Sequence, residues 1–473
     1  MLFSSTVFIY LFLPAVLLIY YLFLRKHRLL SNVFLFGASL IFYGWGEPKF
    51  VFVMMASIVF NWLMGLGVHF AKKKHNRKGA KAFVALACVV NLGLLFVFKY
   101  LNFTENILLE IFGISPSFAK IALPIGISFF TFQALSYVID VYRGKGEAQL
   151  NILNVGLYIS FFPQLIAGPI VRYETVAREI HHRRETREDF YSGFARFVTG
   201  LSKKVLLANT FGILADRVFA LSSAGSISAG LAWLGALGYT FQIYFDFGGY
   251  SDMAIGLGKM FGFHFLENFN YPYISRSVTE FWRRWHMSLG TWFRDYLYIP
   301  LGGSRVSKPR LILNLFVVWF FTGMWHGANL TFVVWGLMYF VLLVFEKLTG
   351  IDKKEGKVLN IAKWIYTMIL VIIGWVIFRS DSLSNALSYI GCMFGAGRGG
   401  FADGAFSGLF GEFGIMLAVG AVCSVPVLGF IKAKLKKNII FDLVYIICLV
   451  GLFALCISSL VSSSYNPFIY FNF

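Results

Sequence analysis

Charge is scarce in this 473-residue chain. Asp, Glu, Lys and Arg make up 14% of it, against roughly 25% in an average soluble domain, which excludes an ordinary soluble protein. The five cysteines, Cys88, Cys392, Cys423, Cys448 and Cys456, form no CxxC or other metal-binding spacing and read as small buried hydrophobes. There is no GxSxG, so an elbow-type serine hydrolase has no support. The glycines of "FDFGGYSDMAIGLGKMFG" (245–262) do not match a phosphate-binding loop. No long linker, low-complexity tract or internal repeat divides the chain, so one membrane domain over 1–473 is the simplest organisation.

What the chain has instead is apolar length. Hydrophobic residues account for 58% of it, and 54 are Phe. Apolar stretches recur at 5–24, 29–46, 50–70, 82–98, 121–142, 150–171, 191–220, 228–260, 311–345, 361–378, 408–430 and 440–461. A bilayer crossing takes about 20 such residues, which predicts an all-α polytopic membrane protein with roughly ten to twelve membrane-embedded helices. A β-barrel is excluded, because its strands are short and alternate apolar with polar. The first run lacks a basic leader region and a small-residue cleavage site, and Arg25, Lys26 and Arg28 follow it, so it reads as a retained span with its N-terminus outside.

The net charge of +19 does not point to nucleic acid. Lys and Arg gather in short loops at 72–81, 172–204, 276–310, 347–363 and 432–437. That is the pattern of cytoplasmic loops in a membrane protein, and anionic lipid headgroups are sufficient partners for the charge.

Three segments break the regular pattern. Segment 150–171, "NILNVGLYISFFPQLIAGPIV", is interrupted by Pro163, Gly168 and Pro169 and predicts a re-entrant hairpin rather than a straight helix. Non-helical backbone at membrane depth needs protein or a watery cavity to supply partners, so it hints at a cavity. Segment 311–345 is too long for one perpendicular span, and "TGMWHGAN" supplies a break, with Gly323 and Gly327 beside a histidine. Segment 277–305 predicts an amphipathic interfacial helix. On it Phe281, Trp282, Trp285, Leu289, Trp292, Phe293, Tyr296 and Leu297 share one arc, and Arg283, Arg284, Ser288, Thr291, Arg294 and Asp295 share the other. His286 falls on the apolar arc and points into the protein.

Of the eight histidines, His27, His75, His181 and His182 lie in basic loops, and His69 flanks one. His264, in "FGFHFLENFNYPY", reads as plain structure. His326 and His286 remain. A buried histidine can simply be tied to a neighbouring helix, and an interfacial helix can carry one without using it. Yet ionisable residues inside spans mark function by default, and imidazole moves protons near neutral pH better than any other side chain. A metal site is a poor explanation: no HxxxH pair occurs and no carboxylate is near. Asp246 and Asp252 stand in an apolar setting, where an unpaired carboxylate is costly, so each requires a partner such as an arginine or a backbone donor. The residues alone reach a membrane protein suited to proton transfer, and leave the reaction open.

At "FWRRWHMSLGTWFRDYLYIPLGGSR" and "TGMWHGAN" the chain resembles the membrane-bound O-acyltransferase superfamily, and within it the alginate O-acetyltransferase group. "LPIGISFFTFQALSYVIDVYRG", "FFPQLIAGPIVRY", "YFDFGGYSDMAIGLGKMFGF", "FNYPYISRSVTEFWRRWH" and the terminal "NPFIYFNF" are similar too. The likeness runs nearly end to end and is densest over 121–340. It implies a ring of membrane helices, with re-entrant segments, around a central tunnel. His326 matches the family's near-invariant histidine, expected as general base, and His286 matches its second signature position.

The resemblance further implies an acyl thioester donor, acetyl-CoA above others, with no tightly bound cofactor. Arg283, Arg284, Arg294 and Arg305 would attract its phosphates from the cytoplasmic side, with Asp295 beside them. Trp325 and Asn329 would orient His326 or line the passage. The acyl group is expected to reach an exported polysaccharide, often through a separate extracytoplasmic acyltransferase, at a bacterial cytoplasmic membrane. A D-alanyl transfer protein for teichoic acid, fed by a carrier-protein thioester, is the alternative. A proton-coupled transporter is the rival of another class.

Overall fold

The apolar runs become helices because a chain surrounded by lipid must satisfy its backbone groups within itself. The computed structural model describes residues 1–113, 121–397, 399–435 and 438–469, and among these no strand forms. The end of the terminal "NPFIYFNF" lies outside the described residues. Among the described residues, seven helices are long and apolar enough to cross a membrane: Val51–Lys73, Arg77–Phe112, Arg187–Ala224, Leu330–Thr349, Lys357–Arg379, Gly404–Cys423 and Ile439–Ser462. Two shorter apolar stretches, Phe8–Leu24 and Arg28–Gly44, precede them. Other predicted apolar segments fold as the helices Ile127–Arg143, Ala229–Met260 and Lys308–His326. The late helices present large apolar side chains outward, among them Ile415 and Val461, a surface suited to lipid rather than to water.

The chain forms two compact units. The first comprises Met1–Phe197 and Tyr250–Leu266. Within it Asn61 and Asn91 exchange side-chain hydrogen bonds of 3.1 and 2.8 Å between the helices Val51–Lys73 and Arg77–Leu95. Such amide pairs hold helices together where lipid offers no hydrophobic drive. The segment predicted to re-enter is broken at Phe161, between the helices Ile152–Ser160 and Phe162–Leu165, and is buried throughout 154–171. Pro163 lies in the first turn of the second piece, and a Cβ on Gly168 would stand 2.6 Å from the Cα of Gln164, so only glycine lets the chain fold back here. Asp252 has the arginine partner its setting demanded, with Arg196 at 2.7 Å.

The second unit comprises Val198–Gly249 and Glu267–Phe473. Its centre is the hairpin of Lys308–His326 and Leu330–Thr349. A Cβ on Gly323 would meet the carbonyl oxygen of Phe332 at 2.5 Å, and one on Gly336 that of Trp319 at 2.5 Å. Two glycines thus set how closely the helices approach. Asp246 is paired with Lys204 at 2.9 Å, both nearly fully buried, and accepts the Ile469 N–H at 2.9 Å. The partner that sequence required is therefore a lysine.

The helix Val278–Arg284 is fixed at its start in two ways. Ser277 Oγ accepts the Glu280 N–H at 2.9 Å, while Glu280 Oε2 accepts the Arg276 N–H at 2.9 Å, a variant of the capping box that "SVTE" encodes. Beneath it Glu346, completely buried, accepts the N–H groups of Val278 and Thr279 at 2.7 and 2.8 Å. A carboxylate from one helix thereby caps another, and orients the chain that leads to His286.

Candidate active site

His326 is the last residue of the helix Lys308–His326. The chain leaves it through Gly327 in extended conformation and restarts as a helix at Leu330, so the break predicted at "TGMWHGAN" is a turn between two packed helices. Asn329 caps the second helix: its Oδ1 accepts the Thr331 N–H at 3.1 Å, and its Nδ2 donates to the Asp381 carbonyl at 2.9 Å. Its observed work is to brace this turn. The imidazole of His326 is buried and stands edge-to-face with Trp325, Trp335 and Phe378, at centroid distances of 5.0, 5.0 and 5.2 Å.

His286 departs from the sequence expectation in one respect. It is buried, as its place on the apolar arc implied, but the helix is not continuous through it. One helix ends at Arg284 and the next starts at Met287, with a π-turn over Arg294–Tyr298. Between them Trp285 is extended, and His286 adopts φ 45° and ψ 50°. A non-glycine residue in this left-handed region carries strain on the order of 1–3 kcal/mol and needs support from its surroundings. The support is visible: the Met287 N–H donates to the Asn268 carbonyl at 2.9 Å, and the Asn270 N–H to the Arg284 carbonyl at 2.9 Å. Segment 268–270 thus takes over backbone bonds that a continuous helix would have made. Trp285 packs against Phe269 at 5.0 Å and Trp375 at 4.7 Å, which anchors the break.

The two histidines share a neighbour. Trp325 lies 5.8 Å from His286 and 5.0 Å from His326, ring centroid to ring centroid. Phe247 closes the other side of His286 at 4.6 Å. His286 Nδ1 lies 3.1 Å from Asn268 Oδ1. Burial lowers its proton affinity far below the ordinary histidine range, to about 3, so the ring is neutral near pH 7. The arrangement offers buried imidazoles around one indole, shielded from bulk water.

The arginines are elsewhere. Arg283, Arg294 and Arg305 are exposed and Arg284 half-buried. Arg284 pairs with Glu280 at 2.9 Å and donates to the Asn270 carbonyl at 3.1 Å. Arg294 pairs with its neighbour Asp295 at 2.8 Å. These side chains form the outer face of the segment whose inner face holds His286. Two buried residues of the site were not singled out by sequence, Asn268 and Glu346. The capping signal in "SVTE" marks the helix start, but nothing local marks Glu346 as its second cap.

A family model described as the membrane-bound O-acyltransferase family matches residues 147–379, a stretch that includes both histidines and Asn268. The chain is 47% identical over 401 residues to the probable alginate O-acetylase of Pseudomonas aeruginosa, covering 84% of this chain and 75% of that one. It is 34% identical over 426 residues to the peptidoglycan O-acetyltransferase of Helicobacter pylori, covering 84% and 80%. It is 29% identical over 259 residues to the teichoic acid D-alanyltransferase of Bacillus subtilis, covering 52% and 65%. With apolar helices throughout and identities of this order over most of its length, the chain belongs to the membrane-bound O-acyltransferase family and is a multi-pass membrane enzyme that transfers acyl groups to oxygen.

Proposed function

We propose that this enzyme moves an acyl group, acetyl above others, from a cytoplasmic thioester to hydroxyls of an exported cell-surface polysaccharide of the alginate kind. The observation that carries the reading is the pair of buried histidines around Trp325 in a chain 47% identical to a probable alginate O-acetylase. His326 takes the proton of the attacking hydroxyl as its oxygen bonds to the thioester carbonyl carbon, and the C–S bond breaks as the thiolate leaves and is protonated in turn. Positioning the two reactants supplies most of the rate. The aromatic walls keep water from competing for the thioester.

Acetyl-CoA is the donor this reading favours. Arg284 and Arg294 already face carboxylates, so Arg283 and Arg305 are left to attract its phosphates. Delivery runs through an extracytoplasmic acyltransferase partner, and the enzyme resides in a bacterial cytoplasmic membrane. The test is label from radioactive acetyl-CoA in sealed membrane vesicles that contain the protein. Label reaching polysaccharide or a partner protein supports the reading. Transfer from a D-alanyl carrier-protein thioester in place of acetyl-CoA overturns it in favour of the teichoic acid alternative.

A further inference from the structure

Asn268 is completely buried and receives three contacts at its side-chain oxygen: the Ser288 N–H at 3.2 Å, the Ser288 hydroxyl at 2.8 Å and His286 Nδ1 at 3.1 Å. An Asn side chain ends in a donor and an acceptor of nearly equal shape, and a neutral imidazole has two tautomers. Here one contact removes the ambiguity. A backbone N–H can only donate, so the Asn268 atom facing Ser288 must be the oxygen. An amide oxygen can only accept, so the imidazole nitrogen beside it must carry the hydrogen. His286 is therefore protonated on Nδ1. In a neutral ring, Nε2 then holds a lone pair.

That lone pair is buried and has no hydrogen-bond partner among the described residues. A buried acceptor without a donor is uncommon in folded proteins and asks for an explanation. The left-handed backbone at His286 sharpens the question, because the chain carries strain to hold this ring here. An acceptor left open for a donor that substrate brings answers both points.

We infer that Asn268 is a positioning residue: through its side-chain oxygen it fixes His286 in the Nδ1–H tautomer and presents Nε2 as the acceptor for a second O–H group of the sugar, beside the hydroxyl whose proton His326 takes. The chemistry it selects is an O–H donor. Ser288 serves as the reference that keeps the Asn268 amide from turning over. The kinetic part of this inference rests on the proposed acyl transfer, while the tautomer does not depend on it.

The test therefore has two arms. The first is solid-state 15N NMR of histidine-labelled enzyme in lipid bilayers, with the His286 signals assigned by their loss in His286→Gln. Wild type should show Nδ1 protonated and Nε2 bare, Ser288→Ala should keep that tautomer, and Asn268→Ala should lose it. Nε2 protonated in the wild type, or an unchanged tautomer in Asn268→Ala, overturns the inference whatever the enzyme transfers.

The second arm is the pH dependence of kcat. Asn268→Ala should lower kcat at least tenfold with little change in donor KM. Asn268→Asp keeps an oxygen for Nδ1–H and should restore much of the rate, with a pH profile altered because a carboxylate raises the proton affinity of the ring. Equal losses in both variants with unaltered profiles would mark Asn268 as structural only and overturn its positioning role. If the wild type itself transfers no acyl group, the proposed function fails and the NMR arm still decides the tautomer.

Discussion

The rings of His286 and Trp325 lie 5.8 Å apart, and the same indole stands 5.0 Å from His326. Trp325 is thus the shared wall of both imidazoles. Its replacement by alanine should disturb both at once, and displacements of about 1 Å near a reacting centre cost on the order of a hundredfold in rate. Trp325→Ala should accordingly lower kcat by roughly that factor, and Trp325→Phe, which keeps an aromatic wall, by much less. Kinetics at matched protein levels check this.

The hairpin that ends at His326 depends on backbone approach. In both Gly323 and Gly336 an added Cβ meets a carbonyl oxygen of the facing helix at 2.5 Å, and backbone cannot swing aside as a flexible side chain can. Gly336→Ala should destabilise the protein by about 1–3 kcal/mol. Gly451→Ala, on a helix where the new methyl meets nothing within 4 Å, should stay within about 0.5 kcal/mol of wild type. Thermal unfolding in one detergent distinguishes them.

Glu346 offers a second structural test. Its carboxylate satisfies the N–H groups of Val278 and Thr279, in a fully buried position. Glu346→Ala leaves both donors without an acceptor, at about 1–3 kcal/mol each. Glu346→Gln keeps one amide oxygen and should cost about half as much. Because this cap orients the helix leading to His286, Glu346→Ala should also lower kcat in the fraction that remains folded.

These residues show where sequence reading succeeds and where it stops. His326 was legible because a single imidazole in a long uncharged run breaks the pattern, and Gly323 and Gly327 announced the break beside it, whereas the capping role of Asn329 was not read. The need of Asp246 and Asp252 for partners followed from desolvation, although their identities, Lys204 and Arg196, are set by tertiary packing. The burial of His286 was legible from the arc of Phe281, Trp285 and Leu289. The break at His286 was not, because backbone bonds from segment 268–270 hold it and no local signal encodes them. Asn268 sits among the polar residues of "FGFHFLENFNYPY" and Glu346 just past the apolar run 311–345, and neither position carries a local signal of its role.

His264 gives a pH dependence with a definite sign. Burial disfavours its charged form, but hydrogen bonds and charge from Glu179 and Asp189, at 2.8 and 3.2 Å, outweigh that and raise its proton affinity above the usual 6.5. A raised value in the folded state means that its contribution to stability is complete below the unfolded value and is lost as pH climbs through the folded one. The ring is about half exposed, so solvent screens the effect and keeps it small. Melting temperature should therefore fall modestly as pH rises above about 6.5, and His264→Asn should flatten that part of the curve. A fall of equal size in the variant would assign it to other groups.

The role of His326 is tested by acetyl transfer from radiolabelled acetyl-CoA in membrane vesicles, comparing wild type with His326→Ala at equal protein levels. Label should reach carbohydrate or a partner protein with the wild type, and transfer should fall at least about a hundredfold in the variant, since removal of a general base costs about 10²–10⁴-fold. Unchanged transfer by His326→Ala would contradict that role.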